Sequence, residues 1–202
     1  MFYGNFMLRE DAVRAIALAL DIDASARCQK CAEPVAEINE ALNRKMAALQ
    51  RSLASKLPLI PVVSIHSPAG WDYRCLGIVT AQSTTGTGLW SDVTSAFTDL
   101  FGAQSKVYNS KIRDGENLCL AAVRMQALKL GGNAVVAADI DYAEVGGQRA
   151  MLMVCMTGTA VHLSNTDVVG DDLGAVTREI ADNLQMLDAL EAAYKQVNTA
   201  FY

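Results

Sequence analysis

Two long apolar stripes, one near each end of the chain, constrain the fold more than any other feature of the sequence. In both, apolar residues recur every three or four positions, which is the spacing of one face of an α-helix. The pattern predicts a helix over 34–57 and another over 172–201. Because a stripe of this length is unfavourable in water, we expect the two helices to pack against each other. The stripe residues are Val35, Ile38, Leu42, Met46, Leu49, Leu53 and Leu57 in the first helix and Leu173, Val176, Ile180, Leu184, Leu187, Leu190, Tyr194, Val197 and Phe201 in the second.

The residues between the stripes have a different pattern, which predicts a layer of strands and helices. Four segments are apolar and rich in β-branched residues, as strands are, and two have helical spacing, the second ended by Gly131 and Gly132 as a C-cap. The order β-β-α-α-β-β predicts an α+β fold, with helices on one face of a mainly antiparallel sheet. The predicted strands are 59–65, 73–80, 133–142 and 149–162, the predicted helices are 89–101 and 109–130, and the predicted hairpin turn is 144–148.

The chain therefore divides into three predicted regions. Residues 1–57 form an N-terminal helical extension that includes a further helix over 7–20, residues 58–163 form the α+β domain, and residues 164–202 form the C-terminal helix. The last region carries two basic and seven acidic side chains, which accounts for the whole net charge of −5. This balance argues against general nucleic-acid binding, because no surplus of Lys and Arg is present to neutralise phosphates. No apolar run approaches the roughly 20 residues of a membrane-spanning helix.

Cysteine usage indicates the compartment and one candidate metal site. The N-terminus lacks a basic segment followed by an apolar one, which predicts that no secretory signal is present. The odd number of cysteines, five, then favours the reducing environment of the cytoplasm. Cys28 and Cys31 have the spacing of half a zinc site, and two such thiolates can share one ion. A neighbouring subunit, water or His66 would have to complete the coordination. We therefore expect that the purified protein contains either no cofactor or weakly bound zinc or another soft metal. A structural or vestigial role and a redox role stay open.

Two further groups of residues in the middle region are candidates for a site. Asp139 and Asp141 lie two positions apart on a predicted strand, so they share a face with each other and with Val135. Paired carboxylates bind hard cations or act as acid and base, and they also serve in subunit salt bridges or helix caps. A strand with Met151, Met153 and Cys155 on one face could join Cys75 in a soft-metal patch, although such residues are usually core.

Several segments of the middle region follow the order of motifs found in one family. They resemble the motifs "YLGIVTG", "LGANAVVG", "DIDY", "MLMV" and "GTAV" of the YbjQ family, and the likeness covers about residues 60–163. The matching segments read YRCLGIVT at 73–80, LGGNAVV at 130–136, DIDY at 139–142, MLMV at 151–154 and GTAV at 158–161, with GLWSD at 88–92 resembling the turn into the family's first helix.

The resemblance implies a compact α+β subunit that assembles into a homopentameric ring. It also implies the family's description, "putative heavy-metal-binding", and it transfers no catalytic residue. The sequence departs from the family pattern at residues 110–116, where Gly115 is expected to weaken the helix by about 1 kcal/mol relative to Ala.

Three functions from different classes follow from these observations. The first is a non-enzymatic, ring-forming cytoplasmic protein whose helical arms add subunit contacts or recruit a protein partner. The second is a heavy-metal-binding or metal-sensing protein that uses Cys28 and Cys31. The third is a small enzyme with Asp139 and Asp141 at a subunit interface.

Overall fold

The computed structural model describes residues 7–84, 108–145, 151–170 and 172–201. Within these ranges the chain forms four α-helices and one three-stranded antiparallel sheet, which confirms the predicted α+β class. The helix predicted over 89–101 and most of the turn predicted over 144–148 lie outside the described residues. The elements are α1 (Glu10–Leu20), α2 (Val35–Lys56), β1 (Tyr73–Thr84), α3 (Tyr108–Lys129), β2 (Ala134–Val145), β3 (Met151–Leu163) and α4 (Leu173–Phe201).

The chain forms two compact units. A helical unit comprises Met1–Ser52 and Asp182–Tyr202, and a sheet unit comprises Leu53–Ala181. No helix of the described residues is long and apolar enough to cross a bilayer.

The core of the helical unit is formed by the first part of the α2 stripe, the last part of the α4 stripe and α1. Leu42 of α2 and Leu190 of α4 are almost completely buried in one cluster with Ile16 of α1. Hydrogen bonds accompany this contact, since the Asn39 side chain donates to that of Asn198 at 3.1 Å. The expected packing of the two stripes is therefore present within one chain. The buried residues of the cluster are Ala15, Ile16, Ala19, Ile38, Leu42, Leu190, Ala193 and Val197.

In the sheet unit, β3 is the central strand and pairs with both of its neighbours. The strand order is β1-β3-β2, and α3 packs against one face of the sheet. The core between them contains residues from all three strands and from α3, as expected for an antiparallel sheet with a helix on one face. Its buried members are Val79, Cys119, Val123, Ala127, Val135, Val154, Met156 and Ala160.

Glycines allow α3 to approach the sheet closely. A Cβ atom on Gly115 would lie 3.0 Å from Val154 Cγ2, so this glycine is a contact point between helix and sheet and not merely a weak position in the helix. At the end of α3, Gly131 has φ +79 and donates from its N–H to Leu128 O, while Gly132 donates to Ala127 O at 2.8 Å. These two bonds form a Schellman motif, which confirms the predicted C-cap.

The prediction of a strand over 59–65 is wrong. Residues 57–59 form a 3-10 turn, and the segment after it makes one isolated parallel bridge, between Val62 and Val135. The cause is proline: Pro58 lies in the turn, and Pro61 has no N–H to donate to a ladder. The segment still follows the edge of β2, because Pro61 O accepts from Val135 N–H and Val63 N–H donates to Val135 O, both at 2.9 Å.

The outer edge of β1 is closed at its centre by a side chain of α3. Gln126 Oε1 accepts from Thr80 N–H at 3.1 Å, and Gln126 Nε2 donates to Thr80 O at 2.6 Å. The amide thus satisfies both backbone groups that an added strand would use. Side chains that occupy an edge in this way hinder edge-to-edge pairing.

Substitution of Gly132 tests the close approach of α3 to the sheet. A Cβ atom at Gly132 would lie 2.8 Å from Val161 O and 3.0 Å from Ala127 O, and backbone atoms cannot move aside easily. We expect Gly132→Ala to lower the free energy of unfolding by about 1–3 kcal/mol, measured by urea denaturation. Gly174→Ala is the control, because a Cβ there meets nothing within 4 Å, and this variant should be neutral or slightly more stable. Equal stability of the two variants would contradict the packing argument.

Candidate metal centre

The thiols of Cys28 and Cys31 converge in a tight turn of the helical unit. Cys28 O accepts from the N–H groups of Cys31 and Ala32 at 2.9 and 3.0 Å, so the chain reverses immediately after Cys28. The turn brings the two sulfur atoms to 2.7 Å from each other, and both cysteines are free thiols. Cys28 is 9% exposed, whereas Cys31 is among the exposed residues of the surface. The pair therefore has a buried member and a member open to solvent.

The environment of the pair favours one thiolate. A hydrogen bond from the Cys31 thiol, with further bonds from backbone N–H groups, lowers the pKa of Cys28 below its usual value. The backbone N–H of Cys31 contributes at 3.1 Å from Cys28 Sγ. The same contact raises the pKa of Cys31, because its thiol donates to Cys28 and then faces a negative sulfur. The first proton thus leaves the pair more easily than the second.

An ion pair next to the turn fixes the chain on both sides of it. Arg27 precedes Cys28 and contacts Glu33, and their side chains are 19% and 30% exposed. The hydrogen bond from Arg27 lowers the pKa of Glu33. In the residues described, no three or more His, Cys, Asp or Glu side chains form a group that could hold a metal ion. Glu33 is the partner of Arg27, and no third side chain of these types joins the two thiols within the described ranges.

A short β-bridge holds the turn against the start of the chain. Met7 lies opposite Cys28 in an isolated antiparallel bridge. The neighbouring Leu8 N–H donates to Arg27 O at 2.9 Å. Sequence reasoning missed Met7, because a two-residue bridge gives no periodic pattern. The available signal was the sulfur atom itself, three positions before α1 begins at Glu10.

The two aspartates of β2 are not part of a comparable cluster. A bulge between Val136 and Asp139 shifts the register, and Ala137 within it has φ 54. The extra residue reverses the alternation of side chains, so Asp139 and Asp141 lie opposite Thr157 and Cys155, on the face away from α3. The expectation that Val135 shares their face is wrong, since Val135 packs in the core beneath α3. Both aspartates are exposed to solvent.

The other three cysteines and both histidines belong to the sheet unit. Burial raises the pKa of Cys119 to about 12, so this thiol acts as a small apolar side chain. Cys155 is half-buried and Cys75 is exposed, so the prediction that both are core is wrong. The side chain of Met151 lies outside the described residues, while Met153 is half-buried on the face that carries Cys155. His66 and His162 are exposed, and His162 Nδ1 lies 3.1 Å from Gly131 O.

A family model and a curated relative support one family. A family model named YbjQ and described as "Putative heavy-metal-binding" matches residues 61–164. A UPF0145 protein of Carboxydothermus hydrogenoformans is 38% identical over 90 residues, which is 45% of this chain and 82% of the relative. A crystal structure of a protein of unknown function from the DUF74 family of Pediococcus pentosaceus is 14% identical, with a TM-score of 0.34, and covers 51% of this chain and 96% of that chain. Cys28 and Cys31 lie outside the matched residues.

The pKa of Cys28 should depend on its hydrogen bond from Cys31. Cys31→Ala removes the donor, so the midpoint of the pH dependence of Cys28 alkylation should move to higher pH. Cys31→Ser is the matched control, because a serine hydroxyl can still donate, and it should move the midpoint less. The measurement is iodoacetamide modification of Cys28, followed by peptide mass spectrometry. An unchanged midpoint in Cys31→Ala would contradict the assigned cause.

Proposed function

Because this chain belongs to the YbjQ family, we propose that it binds a soft metal ion and that Cys28 and Cys31 are its principal ligands. The convergence of the two thiol groups on one turn, with Cys31 exposed, carries the proposal. Thiolates are the ligands that soft ions prefer. Opening the sulfur pair by a small side-chain rotation lets both atoms contact one ion.

The described residues offer few ligands, which supports a metal ion that is bound transiently and exchanged, and not one that is held permanently. A structural zinc site normally has four ligands, whereas this turn offers two thiolates. Cys31 is on the surface, so an incoming carrier or chelator can reach the ion. The function that fits these features is transient binding or sensing of a metal. A dithiol of this kind also requires a reducing compartment, so the proposal includes a cytoplasmic location.

Metal titration of the reduced protein tests the function. Zn(II), Cd(II) and Cu(I) are added separately under anaerobic conditions, and bound metal is measured after gel filtration. We expect at least one of these ions to bind at one equivalent per chain in the wild type. Binding should be lost in the variant with both Cys28→Ser and Cys31→Ser. Cys75→Ser, which removes another exposed thiol, should bind as the wild type does. Wild-type binding by the double variant, or no binding of any ion by the wild type, would overturn the proposal.

We also propose that the chain assembles as a non-enzymatic ring, with the homopentamer as the expected state. The exposed side chain of Ile78 supports this second function, since this large apolar residue of β1 is 77% exposed. Ile78 lies opposite Thr159, on the face away from α3. Because the Gln126 side chain is hydrogen-bonded to both backbone groups of Thr80, the central part of the β1 edge is not available to pair with another strand. Self-association through this sheet face, and not through a continuous sheet, is the arrangement that the contacts favour.

Native mass spectrometry tests the assembly. The wild type should appear as five subunits, and Ile78→Asp should shift the population to smaller species, because a buried unpaired carboxylate is costly. Leu59→Asp is the control, as Leu59 is also exposed, at 57%, but lies in the turn before the sheet. A wild-type monomer at micromolar concentration would contradict the ring.

A further inference from the structure

The bridge between Met7 and Cys28 places a third sulfur-containing residue beside the thiol pair in the backbone. The bond from Leu8 N–H to Arg27 O flanks the bridge, which makes Met7 and Cys28 a non-hydrogen-bonded pair. In such pairs the Cα atoms are about 4.5 Å apart and the two side chains lie on the same face. The flexible side chain of Met7 is therefore within reach of an ion held by Cys28.

Within the part of the chain that the structure describes, Met7 does not pack against the helical core. Its side chain is 61% exposed, whereas Met46 of the same unit packs against the helical core. The backbone bridge holds its Cα next to Cys28 while the thioether stays in solvent. The side chain can thus move onto an ion without leaving a cavity.

The chemistry of the donors distinguishes between ions. A thioether is a soft, neutral ligand that suits Cu(I), whereas protein zinc is bound by thiolate, imidazole and carboxylate. Two thiolates and one thioether form a three-sulfur set of the kind that a monovalent soft cation accepts. The described residues supply no further His, Cys, Asp or Glu group that would complete a four-ligand zinc site.

We infer that the site formed by Met7, Cys28 and Cys31 binds Cu(I), with Met7 as the third ligand. The inference rests on the proposed metal-binding function and adds the identity of the ion and one ligand. On binding, the two thiols release two protons to solvent, and the copper ion accepts an electron pair from each of the three sulfur atoms. No electron transfer occurs, and the complex carries one negative charge, with Lys30 exposed in the same turn.

Competition for Cu(I) tests the inference. The reduced full-length protein is titrated anaerobically against the Cu(I) complex of bathocuproine disulfonate, and the transfer of copper is followed by the colour of the chelator. Met7→Leu keeps the size of the side chain but removes the sulfur, and it should weaken Cu(I) affinity by about tenfold or more. Zn(II) affinity should stay unchanged in the same variant. Met186→Leu, at another exposed methionine of the helical unit, should bind both ions as the wild type does.

X-ray absorption at the copper edge provides a second readout. The wild type should show three sulfur neighbours around copper and Met7→Leu should show fewer. Wild-type Cu(I) affinity and an unchanged sulfur count in Met7→Leu, combined with loss of binding in the double cysteine variant, would overturn the role of Met7 while leaving the proposed function intact. Retention of Cu(I) by the double cysteine variant would overturn both.

Discussion

The close approach of α3 to the three-stranded sheet is the constraint on which the sheet unit depends. The contact is possible because Gly115 and Gly132 present no side chain where the helix meets Val154 and the backbone of Val161. A third glycine, Gly158 on the central strand, makes room for Val135 in the same way. At the end of the helix, the buried Asn133 side chain bonds to both the N–H and the carbonyl of Leu163, at 2.7 and 3.0 Å. Helix end and central strand are thereby joined by groups that tolerate little change in size.

This packing also explains why the sulfur atoms of the sheet unit differ from those of the turn. Cys119 and Met156 fill space between helix and sheet, where burial makes a thiolate unfavourable. Cys28 has the opposite environment, because its sulfur accepts hydrogen bonds that stabilise the negative charge. Cys119 is thus used for packing, whereas the environment of Cys28 favours a thiolate. This difference is the reason to propose a metal at the turn, although the family model matches residues of the sheet unit.

Sequence periodicity predicted the long elements well and the local irregularities poorly. The helices α2, α3 and α4 were predicted to within a few residues, because each has a stripe or a glycine cap that is visible in the sequence. The prediction of a strand over 59–65 was wrong, because it relied on the β-branched composition of the segment. Pro61 lacks the backbone N–H that a strand residue at this position would donate. The prediction that Asp139 shares a face with Val135 was wrong for a different reason. One extra residue at Ala137 reverses the alternation, and alanine at φ 54 gives no sign of a bulge in the sequence.

The same limit applied to the candidate site. The spacing of Cys28 and Cys31 identified the pair, because two cysteines three positions apart are recognisable in any context. The contribution of Met7 depends on a contact across 21 positions of sequence, through one bridge and one backbone hydrogen bond. Such a contact leaves no periodic pattern in the sequence, yet the proposed set of three sulfur donors depends on it. The motif alone predicted half of a zinc site, and only the tertiary contact with Met7 leads to the proposal of a softer cation.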